Sequence, residues 1–342
     1  MANKLSCIIE PLLGWFKENK RALPWREDRE PYHVWISEIM LQQTRIEAVM
    51  RYYRRFTEAL PDIESLSKVD DDRLLKLWEG LGYYSRARNL KKAAQTVMDE
   101  YGGIFPDRYS EIVTLPGIGE YTAGAIASIC FDEKVTAVDG NVLRVISRVT
   151  GSKKNVLLPE TKKAVTKQLQ AILPDQSGAF NEALMELGEI VCLPNGVPDC
   201  EHCPIRETCT AYQKDLTAEI PVRVKQLKRK REEKTVFLIT DPAGRIAIEK
   251  RPDTGLLSGM YQLPNVNGHY SDKELFDKLS VWGLSPADIR HHKSAKHVFT
   301  HIDWFMQAYR VIVTAPNDRF LWVTPEELSA AYSLPTAFKK LL

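Results

Sequence analysis

The period of the hydrophobic pattern changes once along this chain, and that change limits the possible fold. From Trp15 to about Cys192, apolar residues recur at helical spacing with short breaks, as in "DGNVLRVISRVTG". After the charged stretch "VRVKQLKRKREEK" (222–234), apolar and polar residues alternate in segments that are typical of strands. A chain of 342 residues is also too long for one typical core. We therefore expect an all-α domain followed by an α+β domain.

The charged stretch sets the expected boundaries. We place the helical domain at 1–212, a basic linker at 213–232 and the second domain at 233–342. Within the second domain, "DPAG" (241–244) predicts a hairpin turn. Thr324 and Glu327 predict a capping box at a helix start.

Charge and hydropathy limit the possible binding partners and the cellular compartment of the protein. The net charge is only +2, so a nucleic acid would have to meet local basic patches. No apolar run is long enough to span a bilayer. Glu10 interrupts the apolar run of the N-terminal segment, which lacks the layout of a signal peptide. We expect a monomeric cytoplasmic protein.

Four of the six cysteines crowd into "CLPNGVPDCEHCPIRETC". Their spacing is Cys192-x7-Cys200-x2-Cys203-x5-Cys209. A reducing compartment makes disulfides a poor explanation, so the segment indicates a metal centre. Four thiolates can hold zinc or a [4Fe-4S] cluster, and the spacing does not distinguish the two.

The stretch "TLPGIGEYTAGAIASIC" (114–130) combines a Gly-x-Gly turn with a helix of small residues. Gly117 and Gly119 suit a hairpin whose amides point outward, and the helix from about Glu120 adds its free N–H groups. Such an arrangement can cradle a phosphate. A plain helix–turn–helix corner also uses glycines for its shape, and this stretch alone leaves both interpretations open.

Two carboxylate residues, Glu38 and Asp139, are candidates for catalysis. Glu38 is the only charged residue in "VWISEIML", so burial should raise its pKa and let it protonate a leaving base. A surface glutamate paired with Arg45 is the alternative. Asp139 precedes a helix, where an N-cap is the simplest role, but it could also face a developing cation.

The ordered motifs resemble those of a known family. Six residues match the helix-hairpin-helix of base-excision DNA glycosylases: Leu115, Pro116, Gly117, Gly119, Thr122 and Ala123. "VDGNVLRV" and then the four cysteines follow, as in the endonuclease III superfamily. "WISEIMLQQT" and "EGLGYYSRARNL" narrow the resemblance to the MutY-type adenine DNA glycosylases. The likeness runs from about Leu23 to Cys209 and into the second domain.

The resemblance implies roles for these residues. Glu38 corresponds to the catalytic acid, and Asp139 to the carboxylate that stabilises the oxocarbenium-like sugar. Asn141 would orient Asp139 or the attacking water. The four cysteines in the 192–209 loop would ligate a [4Fe-4S] cluster, although the first gap has seven residues where the family usually has six.

Tyr121 separates two branches of the superfamily. Related bifunctional enzymes carry at its position a lysine that forms a Schiff base and nicks the strand. Here a phenol stands at the helix start, and no lysine occurs between Lys92 and Lys134. The resemblance then implies a base-removing enzyme without strong lyase activity, although a simply packed tyrosine fits the sequence equally.

Removing a base from duplex DNA requires flipping it out of the stack. The resemblance assigns Gln43 and Tyr83 as wedges, and both also fit ordinary surface or core positions. Residues that would line the adenine pocket are Trp25, Arg26, Leu41 and Glu182. A basic stripe suited to phosphates, or else a solvated helix face, comprises Arg86, Arg88, Lys91 and Lys92.

The second domain resembles a Nudix fold, through "GLLSGMYQLPNV". The Glu-rich metal-binding helix of Nudix hydrolases is missing from "NGHYSDKELFDKLSVWGL", so we expect a Nudix-like recognition domain without hydrolase activity. In MutY-type enzymes a Phe-Ser-His loop reads 8-oxoguanine. Phe299, Thr300 and His301 match that loop with Thr for Ser, or they form only an exposed hairpin tip.

The sequence thus predicts an enzyme that hydrolyses the N-glycosidic bond of adenine opposite 8-oxoguanine or guanine. Its partner would be double-stranded DNA that contains an A:8-oxoG or A:G mispair. Two alternatives are an endonuclease III-like glycosylase and lyase for oxidised pyrimidines, and a non-catalytic four-cysteine DNA-binding metalloprotein. Tyr121 and the second domain argue against the first, and Glu38 with Asp139 against the second.

Overall fold

The structure, a computed structural model, describes residues 5–224 and 229–342. The chain divides into two compact units, residues 1–68 with 89–225, and residues 69–88 with 226–342. Part of the expected basic linker, residues 225–228, lies outside the described residues. Within the described ranges, no helix combines the length and apolar character needed to cross a membrane.

The described chain up to residue 224 is helical, as the sequence predicts, and its only strand-like pairing is an isolated bridge between Asn155 and Val222. The helices are α1 Ile9–Asn19, α2 Pro31–Leu41, α3 Ile46–Ala59, α4 Ile63–Lys68, α5 Asp71–Leu77, α6 Ser85–Tyr101, α7 Tyr109–Ile112, α8 Glu120–Phe131, α9 Gly140–Thr150, α10 Pro159–Gln170, α11 Ser177–Ile190 and α12 Thr210–Gln213. Short 3-10 turns lie at Pro24–Arg26 and Arg206–Thr208.

The core of the first unit joins α1, α9 and α11. Helix α9 presents the predicted apolar side, with Val142, Val145, Ile146 and Val149 all buried. The helix ends at Gly151, whose φ of 68° lies in the left-handed region that glycine adopts at low cost. Helices α1 and α11 pack on this side through Leu12, Phe16, Phe180, Leu184 and Leu187.

In "WISEIMLQQTRIEAVMRYYRRF" the helical spacing of Ile39, Gln43 and Tyr53 predicts a helix that continues through Gln43, and this prediction is wrong. Helix α2 ends at Leu41 and α3 begins at Ile46. Gln43 occupies the turn with φ 59°, so the helix cannot pass through it.

The second unit contains a mixed sheet with the strand order β3-β2-β1-β6-β5, in which β4 also pairs with β1, and β7 with β2. The strands are β1 Lys230–Thr240, β2 Ile246–Lys250, β3 Tyr261–Gln262, β4 Asn265–Asn267, β5 Pro286–Val298, β6 Ile302–Val313 and β7 Leu321–Val323. Its further helices are α13 Asp272–Val281, α14 Pro325–Ala331 and α15 Thr336–Lys339.

Strand β1 departs from the alternation expected of the second domain, because its residues 234–239 are all buried, on both faces of the sheet. Val236 and Leu238 belong to one core cluster, with residues of α14 and α15, whereas Phe237 and Ile239 belong to another, with residues of α13. A strand covered on both faces reads as a continuous apolar run. The predicted 241–244 turn is confirmed, because Thr240 and Ile246 pair across it. The capping box of Thr324 and Glu327 is confirmed as well.

Residues 69–88 contact the C-terminal part of their unit through polar groups. Lys250 Nζ lies 2.6 Å from Asp72 Oδ1, and Lys76 Nζ donates to the Tyr332 carbonyl at 3.1 Å. Glu79 accepts a bond from the Leu334 amide at 2.8 Å. These contacts explain why this segment groups with residues far along the chain.

Candidate active site

Glu38 lies on α2 with only 7% of its surface exposed. Its Oε2 accepts a 2.6 Å hydrogen bond from the Tyr121 hydroxyl. Burial is the largest influence and raises the pKa of the Glu38 carboxyl to about 7, although the bond from Tyr121 and the charge of Arg26 lower it. The Asp139 and Glu182 carboxylates raise this pKa further. The carboxyl group can therefore carry a proton near neutral pH, as its position in an apolar run predicts.

Tyr121 is the second residue of α8. Besides donating to Glu38, its hydroxyl lies 3.2 Å from Met185 Sδ on α11. The side chain thus reaches from the glycine turn to the acid. A phenol held in this way orients Glu38 and offers no amine.

The fold requires glycine at only one of the two glycine positions in the turn. Gly117 has φ 79°, and a Cβ there would come within 2.5 Å of Asn89 Cβ, so the fold itself demands glycine. Gly119 has φ −99°, and a Cβ there would meet nothing within 4 Å. It is the N-cap of α8, and no side chain caps that helix. The helix N-terminus therefore has an open approach, which suits an anion.

Asp139 caps α9, as predicted. Its Oδ1 accepts the Val142 amide at 2.7 Å, and its Oδ2 accepts Asn141 Nδ2 at 2.9 Å. Burial raises the pKa of Asp139, while the Val142 amide, the charge of Arg144 and the Asn141 backbone favour its ionised form. The carboxylate is therefore oriented by the helix start that it caps.

Two residues that sequence reasoning missed complete this group. Asn141 Nδ2 also donates to Glu189 Oε1 at 2.8 Å, and Arg144 donates to Asn141 Oδ1 at 2.8 Å. Arg144 also donates through Nε to the Cys192 carbonyl at 2.7 Å. Arg144 is one of two arginines in the otherwise apolar and small-polar α9 sequence, so the sequence could have pointed to it. No pattern in the local sequence points to Glu189.

Arg26 and Glu182, both predicted pocket residues, are half-buried and belong to an ion cluster around the buried Glu186. Arg26 Nε lies 2.9 Å from Glu182 Oε1, and its Nη2 lies 3.1 Å from Glu186 Oε2. Arg21 Nε lies 2.7 Å from Glu186 Oε1. Burial alone would raise the pKa of Glu186, but the two guanidinium groups outweigh it and hold the value at about 2. Sequence reasoning missed Arg21 and Glu186.

The other two predicted pocket residues differ in exposure. Trp25 is buried, and its ring meets Tyr53 edge-on at 5.3 Å. Leu41 is half-buried at the end of α2. Among the described residues, neither side chain forms a hydrogen bond or ring contact with Glu38.

Gln43 and Tyr83 share an uncommon backbone state. Both are exposed, and their φ values of 59° and 47° place them among five non-glycine residues with positive φ in the described chain. Such conformations are costly outside glycine and cluster at functional sites. The Tyr83 hydroxyl lies 3.0 Å from Thr300 Oγ1 within the second unit.

Phe299, Thr300 and His301 form the turn between β5 and β6. The Phe299 amide donates to the Ile302 carbonyl at 2.8 Å and closes the turn. The half-buried Phe299 ring packs against Trp304 at 4.8 Å. Thr300 and His301 are exposed, so both side chains face solvent at the tip.

The four cysteines of the 192–209 loop border one cavity, together with residues of α9 and α11. Arg148 Nη1 lies 3.2 Å from Cys192 Sγ. Burial has the largest effect on the pKa of Cys200 and raises it, and Cys192 and Cys209 raise it further. In the described part of the chain, however, no three ligand-type side chains gather closely enough to hold a single metal ion.

Comparison with known proteins gives two domain matches. Residues 36–175 match the HhH-GPD superfamily base excision DNA repair protein, and residues 235–342 match the NUDIX domain. A solved structure of a thermostable thymine-DNA glycosylase aligns with a TM-score of 0.56 and 31% identity, over 62% of this chain and 98% of that one. A non-covalent endonuclease III–DNA complex, 23% identical, shares the fold with a TM-score of 0.54, over 63% of this chain and 98% of that one.

Similarity to whole proteins is more specific. The adenine DNA glycosylase of Mus musculus is 36% identical over 96% of this chain and 76% of its own length. That of Buchnera aphidicola subsp. Baizongia pistaciae is 31% identical over 98% of this chain and 95% of its own. The resemblance and the two-domain fold predicted from the sequence are thereby confirmed. The chain belongs to the adenine DNA glycosylase family, whose members act in base excision repair.

Proposed function

We propose that this enzyme excises adenine paired with 8-oxoguanine, or with guanine, and leaves an abasic site without cutting the strand. The observation that carries the proposal is Glu38, a buried carboxyl group with a pKa of about 7 beside the Asp139 carboxylate. Two carboxyl groups in different environments can divide the work of acid and cation stabiliser.

Glu38 supplies the proton that adenine needs to leave. The proton passes to a ring nitrogen of the base, the N-glycosidic bond breaks, and its electron pair departs with adenine. The sugar is then an oxocarbenium-like cation. Water adds to its anomeric carbon, and the Glu38 carboxylate accepts the water's proton, which restores the acid.

Asp139 stabilises the cation electrostatically. The Val142 amide and Asn141 hold its two oxygens before DNA arrives, so little reorganisation is needed during the reaction. Asn141 is a positioning residue in this scheme. Tyr121 orients Glu38 through the 2.6 Å bond, and the absence of an amine at this position supports a reaction without Schiff-base chemistry.

The DNA would be held at several points. Gly117 and Gly119 present the open N-terminus of α8 to a backbone phosphate. Gln43 and Tyr83 enter the stack when adenine flips out, and their exposure and positive φ support that role. Residues around the flipped base are Trp25, Arg26, Leu41 and Glu182. The Arg26–Glu182 pair fixes two of these polar side chains near Glu38.

We propose that the division of labour follows the expected domains, with chemistry in 1–212, a linker at 213–232 and orphan-base recognition in 233–342. Phe299, Thr300 and His301 read 8-oxoguanine from the exposed β5–β6 turn. The Tyr83–Thr300 contact supports this assignment, because it joins a wedge to the recognition turn within one unit.

The four cysteines would ligate a [4Fe-4S] cluster. Four thiols around one cavity fit its donor set, and the resemblance to MutY-type enzymes favours the cluster over a zinc ion. When bound, the cluster would serve structure, by fixing the 192–209 loop. Arg148 contributes an N–H toward Cys192 Sγ.

The test is single-turnover incubation with duplexes that contain A:8-oxoG, A:G, A:C or thymine glycol. We expect abasic sites from A:8-oxoG fastest, then from A:G, with strand breaks only after alkali. Release of thymine glycol, or strand cleavage without alkali, would overturn the proposal.

A further inference from the structure

Glu189 contacts the acid site but has no role in the mechanism so far. Its side chain is exposed on α11, and its Oε1 accepts a 2.8 Å hydrogen bond from Asn141 Nδ2. The same nitrogen donates to Asp139 Oδ2 at 2.9 Å, and Arg144 donates to Asn141 Oδ1 at 2.8 Å. Both N–H groups and the carbonyl oxygen of Asn141 are therefore engaged.

Because all three of these hydrogen bonds are made, the Asn141 amide has only one favourable orientation. If the amide flipped, its carbonyl oxygen would face two carboxylates and its NH₂ group would face a guanidinium group. Without Glu189, one N–H would lose its acceptor, and Asp139 and Arg144 alone would hold the amide.

The packing of α11 on α9 places Glu189 where it can make this contact. A Cβ at Gly188 would lie 2.6 Å from Asn141 Cβ, so glycine is required for the helix to approach so closely. Arg144 also donates to the Gly188 carbonyl at 2.8 Å. The adjacent residue, Glu189, is then set directly beside the amide.

We propose that Glu189 is a positioning residue for base removal, which acts through Asn141 to keep the Asp139 carboxylate facing the sugar cation. The inference rests on the proposed role of Asp139. The charges around Asp139 are those of Arg144 on its own helix, Glu38 on α2 and Glu189 on α11. Because Glu189 is exposed, solvent screens its charge, and its hydrogen bond carries the effect.

The experiment compares Glu189→Ala with Glu189→Gln, since glutamine keeps an oxygen that can accept from Asn141 but has no charge. We expect alanine to lower the single-turnover rate on A:8-oxoG duplex about fivefold, in the range of one modest hydrogen bond, and glutamine to stay within about twofold of wild type. Glu18→Ala, an exposed carboxylate removed from α1, is the matched control.

Binding separates positioning from structural damage. Affinity for a duplex with a tetrahydrofuran abasic-site analogue should be unchanged or tighter in Glu189→Ala, because an anion near DNA is removed. The double variant Asn141→Ala/Glu189→Ala should match Asn141→Ala alone.

Four results would overturn the inference. They are a rate for Glu189→Ala within twofold of wild type, equal losses in the alanine and glutamine variants, a parallel loss of DNA affinity, and additive effects in the double variant. Asp139→Asn, measured in the same series, tests separately the proposed role of Asp139, on which the inference rests. If that variant kept wild-type activity, the proposed role of Asp139 would fail whatever Glu189 does.

Discussion

The acid site of the first unit and the Phe299–His301 turn of the second unit differ in what their side chains contact. Glu38 is buried, and its pKa is set first by that burial and then by Tyr121 and Asp139. Thr300 and His301 are exposed at the tip of a hairpin. The first site is arranged before any DNA is present, whereas the second has most of its proposed contacts still to make.

The two sites should therefore affect different measured quantities. Preorganised groups should act on the rate of the chemical step and leave DNA affinity alone. An exposed recognition turn should instead change the preference between orphan bases, and leave the pH dependence of the reaction unchanged.

Glu38→Gln should lower the single-turnover rate of adenine release by about 10²–10⁴-fold, the usual contribution of a general acid. The amide keeps the size and polarity of the side chain, so affinity for an A:8-oxoG duplex should change little. Glu18→Gln serves as the control. A rate loss below about tenfold, or a matching loss of affinity, would break the separation.

If Glu38 is the acid, it must be protonated to act, and burial raises its pKa to about 7, so the rate should fall as the pH rises through that value. Each further pH unit lowers the protonated fraction roughly tenfold, so pH 9 should cost about a hundredfold. At low pH the rate should fall as well, since protonation removes the Asp139 charge. Single-turnover rates from pH 4 to 9 give the profile, and a flat profile between pH 6 and 9 would exclude Glu38 as the acid.

Several of these features are predictable from sequence because their cause is local. A lone acid in "VWISEIML" indicates a buried carboxyl group, and Asp139 before a helix indicates a cap. The capping box at Thr324 depends on residues three apart. Local spacing and side-chain chemistry are sufficient in such cases.

Other features depend on contacts between distant residues. Arg21 and Glu186 are 165 positions apart, and Glu189 meets Asn141 across 48. The turn at Gln43 has no glycine or proline to announce it, so helical periodicity continues past the true end of α2. Helix packing creates these arrangements, and no short pattern encodes them.

Gly119→Ala should weaken DNA binding about tenfold or more, if a phosphate accepts from the amides at this helix start. Its φ of −99° and the open space around its Cβ allow alanine without strain, so the melting temperature should stay near wild type. Gly117→Ala is the contrasting variant and should lower the melting temperature, because it clashes with Asn89. Unchanged affinity in a folded Gly119→Ala protein would remove the hairpin from the DNA interface.

The double variant Phe299→Ala/His301→Ala should reduce the preference for A:8-oxoG over A:G by about tenfold, within the ~1–3 kcal/mol of a good base contact. Its pH profile should match that of the wild type, because the acid site is untouched. The measurement is the ratio of single-turnover rates on the two duplexes. An unchanged ratio would place recognition of 8-oxoguanine outside the turn.

Thr300 offers the finest test, since its hydroxyl already has a protein partner. Its Oγ1 lies 3.0 Å from the Tyr83 hydroxyl, so it can fix the wedge relative to the turn before DNA binds. Thr300→Ser keeps the hydroxyl and should retain the A:8-oxoG preference within about twofold. Thr300→Val keeps the shape but removes the hydrogen bond, and should lower the preference about threefold, the size of a weak exposed hydrogen bond.

The two possible outcomes have different meanings for the turn. If the valine and serine variants behave alike, the Tyr83–Thr300 contact has no part in recognition, and only contacts with DNA order the turn. If only the valine variant loses the preference for A:8-oxoG, then part of the turn is arranged before DNA binds, as the acid site is. The two regions then differ only in how much of each site is preorganised.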